Sequence, residues 1–318
     1  MKILLTGGTG FLGRNICGYF NRVNSPIESP DNYQVIPLGS NVYDLRDSYA
    51  CRKALDNYQP DIVIHAAGSV GGIGANQKNP GKFMYENLAM GMNMIERTRQ
   101  YRDKYNNNVK FIMLGTVCAY PKFTPVPFQE SELWNGYPEE TNAPYGIAKK
   151  ALMKMGETYN EQYGMNIVNI IPVNMYGPHD HFNLTSSHVI PALILKVYNA
   201  MKNADRSITL WGTGQVSREF LYARDCVEAI HCAIHKDVGP EPINIGTGKE
   251  ITIHDLVVEI AEQMGYEGEI IYDPSKPDGQ PRRCLDTSRA KERLGFVAQT
   301  SLEEGLKQTI EWFLGEQK

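Results

Sequence analysis

The sequence contains no C-x-x-C pair, no internal repeat, no low-complexity tract and no unbroken apolar run of the length a membrane helix needs. Each absence excludes something. Six scattered cysteines (Cys17, Cys51, Cys118, Cys226, Cys232 and Cys284) form neither a zinc ribbon nor a disulfide frame, which leaves reduced thiols and a cytoplasmic setting as the simple reading. Without a long apolar run no membrane partner is expected. Charge of one sign is also missing: 32 Lys+Arg stand against 36 Asp+Glu, a net charge of −4. Nucleic-acid binders usually carry a basic excess, so no nucleic-acid partner is expected either. The start, Met1-Lys2-Ile3-Leu4-Leu5-Thr6-Gly7, is too short and too soon glycine-containing for a secretion signal.

What is present is an ordinary globular composition: 318 residues, 42% hydrophobic and 21% charged. A chain of that length buries about three quarters of its unfolded surface and needs no staples. Apolar runs at Lys2–Thr6, Gln34–Leu38, Asp61–His65, Val109–Leu114 and Asn166–Ile171 read as buried strands. Helix-like stretches near Phe11–Arg22, Asp47–Tyr58, Phe83–Tyr105 and Tyr145–Tyr163 separate them. That alternation predicts an α/β fold, a Rossmann-type doubly wound parallel sheet. After Pro172 the pattern changes. A Gly-, Pro-, His- and Asn-rich loop over Tyr176–Ser187 precedes shorter elements: helices from His188, Arg224 and Thr252, and strands at Ile208–Trp211 and Ile243–Ile245. The division expected is 1–172 for a dinucleotide domain and 173–318 for a smaller C-terminal α/β substrate lobe, with the chain returning in part to the first.

Thr6-Gly7-Gly8-Thr9-Gly10-Phe11-Leu12-Gly13 joins the first strand to the first helix. Gly7 permits the tight turn, Gly10 lets backbone approach a pyrophosphate, and Gly13 lets helix and strand pack closely. The helix N-terminus then presents free N–H groups to the phosphates. An acid ending the second strand would hold the ribose 2′-OH of NAD. Here Pro37-Leu38-Gly39-Ser40-Asn41 has none, Ser40 and Asn41 can donate to a 2′-phosphate, and Arg46 is the nearest cation, so the cofactor expected is NADP (NADPH).

Tyr145 and Lys149, in Pro144-Tyr145-Gly146-Ile147-Ala148-Lys149, fall at i and i+4 on one helix face. A neighbouring ammonium lowers a phenol's pKa, and such a tyrosine can protonate a carbonyl oxygen as hydride arrives. Lys149 can also hold the nicotinamide ribose. With the glycine motif, this pair resembles the extended short-chain dehydrogenase/reductases, in which a hydroxyl after the fourth strand completes a triad. Thr116 stands there, where serine is commoner.

Longer strings narrow the resemblance: Val70-Gly71-Gly72-Ile73-Gly74-Ala75-Asn76, Cys118-Ala119-Tyr120-Pro121-Lys122, Tyr176-Gly177-Pro178-His179-Asp180, Ser187-His188-Val189-Ile190-Pro191, Trp211-Gly212-Thr213-Gly214, Arg218-Glu219-Phe220-Leu221 and Lys276-Pro277-Asp278-Gly279 with Pro281-Arg282. From about Lys2 to Phe313 the chain resembles the GDP-L-fucose synthase family. That resemblance implies epimerisation of GDP-4-keto-6-deoxy-D-mannose at C3 and C5, then reduction of C4 by NADPH. A related GDP-4-keto-sugar enzyme making GDP-colitose or a GDP-6-deoxy-heptose is the alternative, kept open by Thr116 and Val117. It implies that Thr116, Tyr145 and Lys149 serve reduction, and that Cys118 and His188 are the base and acid of epimerisation. It further implies a cofactor site of Gly7, Thr9, Gly10, Phe11, Leu12, Gly13, Ser40, Asp44, Leu45, Ala66, Ala67, Leu114, Lys149, Pro172, Asn174, Met175 and His188. The GDP-sugar site would comprise Val70, Gly71, Asn76, Asn174, Lys196, Trp211, Arg218, Arg282 and Arg283, with Lys196 where the family often has arginine. A homodimer joined near Phe83–Tyr105 and Tyr145–Tyr163 is implied too, and Met84, Met90, Met92 and Met94 suit either such an interface or an ordinary core. His179, Asp180, His181 and His188 match no zinc spacing, so no metal is expected.

Overall fold

A computed structural model describes residues 1–24, 32–184, 186–276 and 280–317; Pro277, Asp278 and Gly279 of the last motif lie outside them. Six strands form one parallel sheet in the order β2-β1-β3-β4-β5-β9. They are β1 (Lys2–Thr6), β2 (Gln34–Leu38), β3 (Ile62–His65), β4 (Lys110–Leu114), β5 (Asn166–Pro172) and β9 (Ile243–Ile245). Alternation along β1 feeds two cores: Ile3 and Leu5 face one side, Leu4 the other. Burial on both faces is why these strands read as unbroken apolar runs.

The first core lies under α1 (Phe11–Val23) and α7 (Ala223–His235), which contribute Ile16, Phe20 and Ile230. The second lies under α2 (Ser48–Tyr58), α4 (Pro80–Tyr105) and α5 (Ala143–Tyr163), with Leu55, Met94 and Leu152. Helix α4 starts three residues before the expected Phe83, at Pro80, whose fixed φ and missing N–H suit a first turn. Lys110 ties α7 to the sheet. Its buried Nζ donates to the Ala233, Ile234 and Lys236 carbonyls at 2.8–3.0 Å, the bare C-terminal end of that helix.

After β5 the chain leaves the sheet for β6 (Asn174–Tyr176), α6 (Val189–Asn203), β7 (Ser207–Trp211) and β8 (Ser217–Tyr222), then returns through α7 and β9. It leaves again as β10 (Glu250–Thr252), α8 (Ile253–Met264), β11 (Glu269–Asp273) and α9 (Leu302–Glu316). Two small sheets result, β10-β8-β6 and β11-β7, around a third core containing Ile194, Phe220, Ile260 and Phe313. Thr252 caps α8, accepting from the Asp255 N–H at 3.0 Å. The helix α3 (Ile73–Lys78), strands β6, β8, β10 and β11, and α9 add to the elements expected from sequence.

One buried carboxylate ties these parts together. Glu219 of β8, fully buried, accepts from the backbone N–H groups of Thr247 (2.5 Å), Gly248 (2.7 Å) and Leu285 (2.7 Å). The turn after β9 is thereby held to the small sheet and to the 283–285 segment. A Cβ at Gly246 would stand 2.2 Å from Glu219 Oε1, so any larger residue there would displace the carboxylate. Stripping one acceptor from buried donors costs about 1–3 kcal/mol per donor. Glu219→Ala is therefore expected to lose at least about 3 kcal/mol in urea unfolding, against about 1 kcal/mol for removing the Thr252 cap. A Glu219→Ala loss no larger than that of Thr252→Ala would show that this clamp does not hold the fold.

Candidate active site

With strand order 2-1-3, the winding direction reverses between β1 and β3, and open α/β sheets bind ligands at the carboxyl ends of strands flanking such a point. There Gly7, at φ +70°, presses against the peptide joining Ala66 and Ala67, where a Cβ would come within 2.9 Å. Gly13 packs so tightly that a Cβ would lie 2.2 Å from the Gly7 carbonyl oxygen. Gly10 is the N-cap of α1, with no side-chain cap and no acid in the first turn. The N–H groups of Phe11, Leu12 and Gly13 begin the helix there, with the positive end of its dipole beside an exposed Thr9. This cradle fits a pyrophosphate.

The rim beyond β2 carries exposed Ser40 and Asn41, beside Thr9. Asp44 turns its carboxylate to Arg46 at 2.8 Å, and Arg46 also pairs with Glu86 at 2.8 Å. Both expected groups are thus engaged in ion pairs. Leu45 is buried, and its carbonyl accepts from Asn93.

A second cluster sits at the end of β4. Thr116 begins the short turn Val117–Ala119, and its hydroxyl accepts from the Cys118 N–H at 3.2 Å. Helix α5 abuts this turn because residue 146 is glycine: a Cβ there would lie 2.2 Å from the Cys118 carbonyl oxygen. Tyr145 is thereby held among Thr116 and Cys118. Burial pushes its phenol up, Cys118 adds to that rise, and Thr116 opposes it. The lowering expected from Lys149 does not prevail, because that ammonium is directed elsewhere. Its Nζ donates to the Leu114 carbonyl at 3.0 Å and lies 3.4 Å from that of Ala67, bridging the ends of β4 and β3. Burial pulls Lys149 down to about 8. Tyr145 is held as a proton-bearing phenol beside a buried cation.

His188 is the N-cap of α6. Solvent reaches it, yet the surrounding protein, and to a lesser extent His181, hold its imidazole below the ordinary value. The loop carrying it meets the segment after β3 through Gly72 N–H to Ser186 O at 3.1 Å. In that segment Val70 is exposed, Gly71 half-buried, and Asn76 donates to Gly71 O at 2.9 Å and Asn142 Oδ1 at 3.1 Å. Pro172 is buried at the end of β5; Asn174 donates to Glu219 O at 3.0 Å, and Met175 is half-buried.

The remaining residues are spread along the small sheets. Lys196 donates to Thr209 O at 2.6 Å. Trp211 is 70% exposed, with the Lys276 ammonium 5.8 Å from its ring centre. Arg218 donates to Ser217 O at 2.7 Å. Arg282 is exposed and paired with Glu250, whereas Arg283 turns inward and its Nη1 comes to 3.7 Å from Cys118 Sγ. The two neighbouring arginines, grouped together on sequence, thus face different surroundings. Sequence reasoning gave no role to Glu219 or Gln280, although the first lies inside Arg218-Glu219-Phe220-Leu221 and the second two residues before Arg282.

The model of the NAD dependent epimerase/dehydratase family matches residues 3–246. A GDP-L-fucose synthase of Escherichia coli is 36% identical, covering 99% of this chain and 97% of its own length. A GDP-L-colitose synthase of Yersinia pseudotuberculosis is also 36% identical, covering 99% of both. Among solved structures, a GDP-L-fucose synthetase from Naegleria fowleri bound to NADP superposes with a TM-score of 0.89 at 28% identity, covering 99% of this chain and 94% of that one.

Proposed function

The chain belongs to the NAD dependent epimerase/dehydratase family, and from that premise we propose that it converts GDP-4-keto-6-deoxy-D-mannose to GDP-L-fucose as a 3,5-epimerase and NADPH-dependent 4-reductase. The observation that carries this reading is the gathering of Thr116, Cys118 and Tyr145 at one strand end, with Lys149 behind them. A dehydrogenase alone needs no thiol there. A 3,5-epimerase needs a base beside the ketone that its reductase half will reduce.

The glycine cradle of Gly7, Gly10 and Gly13, with Phe11 and Leu12, would hold the pyrophosphate of NADP, and Thr9, Ser40 and Asn41 its adenosine end. Lys149, Leu114, Ala66, Ala67, Pro172, Asn174 and Met175 would line the nicotinamide end. Bound NADPH supplies the hydride. Thr116 and Tyr145 would polarise the C4 oxygen, which stabilises the enolate during epimerisation, and the Tyr145 phenol would give its proton during reduction. Cys118 would take protons from C3 and C5, and His188 would return them from the other face of the sugar. The GDP group would lie on the 173–318 part of the chain, against the exposed Trp211 ring, Lys196, Arg218 and Arg282. A GDP-colitose synthase activity is the second reading, favoured by the Yersinia relative. The free cysteines and the use of NADPH support a cytoplasmic setting.

Incubation with GDP-4-keto-6-deoxy-D-mannose and NADPH, with NMR of the product, tests the function: GDP-L-fucose is expected, and an unepimerised or differently deoxygenated sugar would sink this reading. Tyr145→Phe is expected to slow NADPH oxidation by about 100- to 10,000-fold. Cys118→Ser should abolish solvent-deuterium uptake at C3 and C5 without altering the thermal melt; loss of the fold would make the cysteine structural.

Lys149 loses its charge as pH rises through about 8. NADPH binding, followed by its fluorescence, is expected to weaken between pH 7 and pH 9, and in Lys149→Met to be weak and flat with pH. Equal affinity of the unaltered protein at both pH values would contradict this. Helices α4 and α5 pack side by side and expose Tyr85, Met92 and Tyr163, which supports a homodimer across this face. Light scattering should then give twice the chain mass.

A further inference from the structure

A buried guanidinium is expensive unless an anion or a full set of acceptors meets it. Arg283 is only 9% exposed. Its Nε and Nη2 donate to Gln280 Oε1 at 3.2 and 3.1 Å, and the Gln280 amide is fixed in turn by donating to Lys122 O at 2.7 Å. That acceptor is neutral, and among the described residues no carboxylate pairs with Arg283. The remaining nitrogen, Nη1, points at Cys118 Sγ at 3.7 Å. The backbone on either side is locked, by Glu219 N–H to Arg283 O at 3.0 Å and Leu285 N–H to the Glu219 carboxylate. The guanidinium itself is held on its other side by the Gln280 amide oxygen, which leaves Nη1 directed at the sulphur.

We propose that Arg283 is the counter-ion of Cys118, a positioning residue that keeps this thiol as the thiolate which abstracts the proton beside the ketone. The inference rests on the epimerase reading and moves Arg283 out of the GDP site. A nearby cation favours a thiolate, the form that acts as base. The other groups facing Cys118 do not compete for this role. From α5 it meets Tyr145, which remains a phenol. The step is balanced: a C–H bond of the sugar breaks, an S–H bond forms, and the electron pair passes to the ketone oxygen as an enolate. Nothing is oxidised.

The test is the pH dependence of Cys118 alkylation by iodoacetamide in the intact protein, read on its own peptide by mass spectrometry. The midpoint is expected below the ordinary thiol value of about 8.5. In Arg283→Met it should rise, slowing alkylation at pH 7 by about tenfold, and Arg283→Lys should recover part of the loss. GDP affinity of Arg283→Met should stay within about twofold of the unaltered protein. A midpoint at or above 8.5 in the unaltered protein overturns the proposal, and needs no variant to fold. So does an Arg283→Met midpoint that does not move, above all if GDP binding weakens instead, since Arg283 would then be a phosphate ligand. Should the midpoint move while deuterium uptake at C3 and C5 does not, the ion pair stands and Cys118 as the epimerase base falls.

Discussion

The buried carboxylate of Glu219 is the constraint on which the rest of the molecule depends. It joins three stretches that no single sheet connects: β8 in the small sheet, the turn leaving β9 in the large one, and the 283–285 segment. Burial pushes its carboxyl up against the backbone N–H donors that stabilise the charge. The chain has use for such a clamp because it leaves the large sheet twice and the small sheets must be fixed to the large one. Asn174, just after β5, and Arg283, beside the Cys118 thiol, both hang on the Glu219 backbone. A small error at this position would be felt at both Asn174 and Arg283.

The cluster at the end of β4 works by the opposite principle. Its groups are under-solvated rather than fully matched. Lys149 is pulled down and Tyr145 pushed up by the same burial, so the ammonium sits closer to neutrality and the phenol stays protonated. Electrostatic effects grow as water is excluded, so any group entering there meets fixed dipoles and donors instead of mobile solvent. His65, a neighbour of Lys149, is held neutral at about 3 and hydrogen-bonds Thr6 at 2.9 Å, so no second cation crowds the lysine.

The parallel sheet was legible because its strands are buried on both faces and so are apolar throughout, and the glycine turn because its residues answer to steric needs local in sequence. The strands of the second region were not. Three-residue β6 and β10 are too short to show a period, and β8 mixes charged Arg218 and Glu219 with apolar Phe220 and Leu221 because its polar groups are satisfied internally. Helix α9 could have been found: Ser301 accepts from the Glu304 N–H at 3.1 Å, a capping pattern plain in Ser301-Leu302-Glu303-Glu304. The i, i+4 spacing identified Tyr145 and Lys149 but let the lysine act directly on the phenol; the resemblance to a known family identified Cys118 but treated Arg282 and Arg283 alike.

Sequence alone determined what depends on local stereochemistry: the fold class, the glycines where backbones touch, the i, i+4 spacing of Tyr145 and Lys149, and the missing acid after β2. Tertiary structure decided what depends on distance between remote segments. Only there does Arg283 turn from Arg282 toward a sulphur 165 residues away, the Lys149 ammonium point at two strand ends rather than at the phenol, and Glu219 become a clamp instead of one more surface acid. Spacing along a chain fixes which side chains share a helix face, but the field each ionisable group feels is set by burial and by neighbours that only the folded chain supplies.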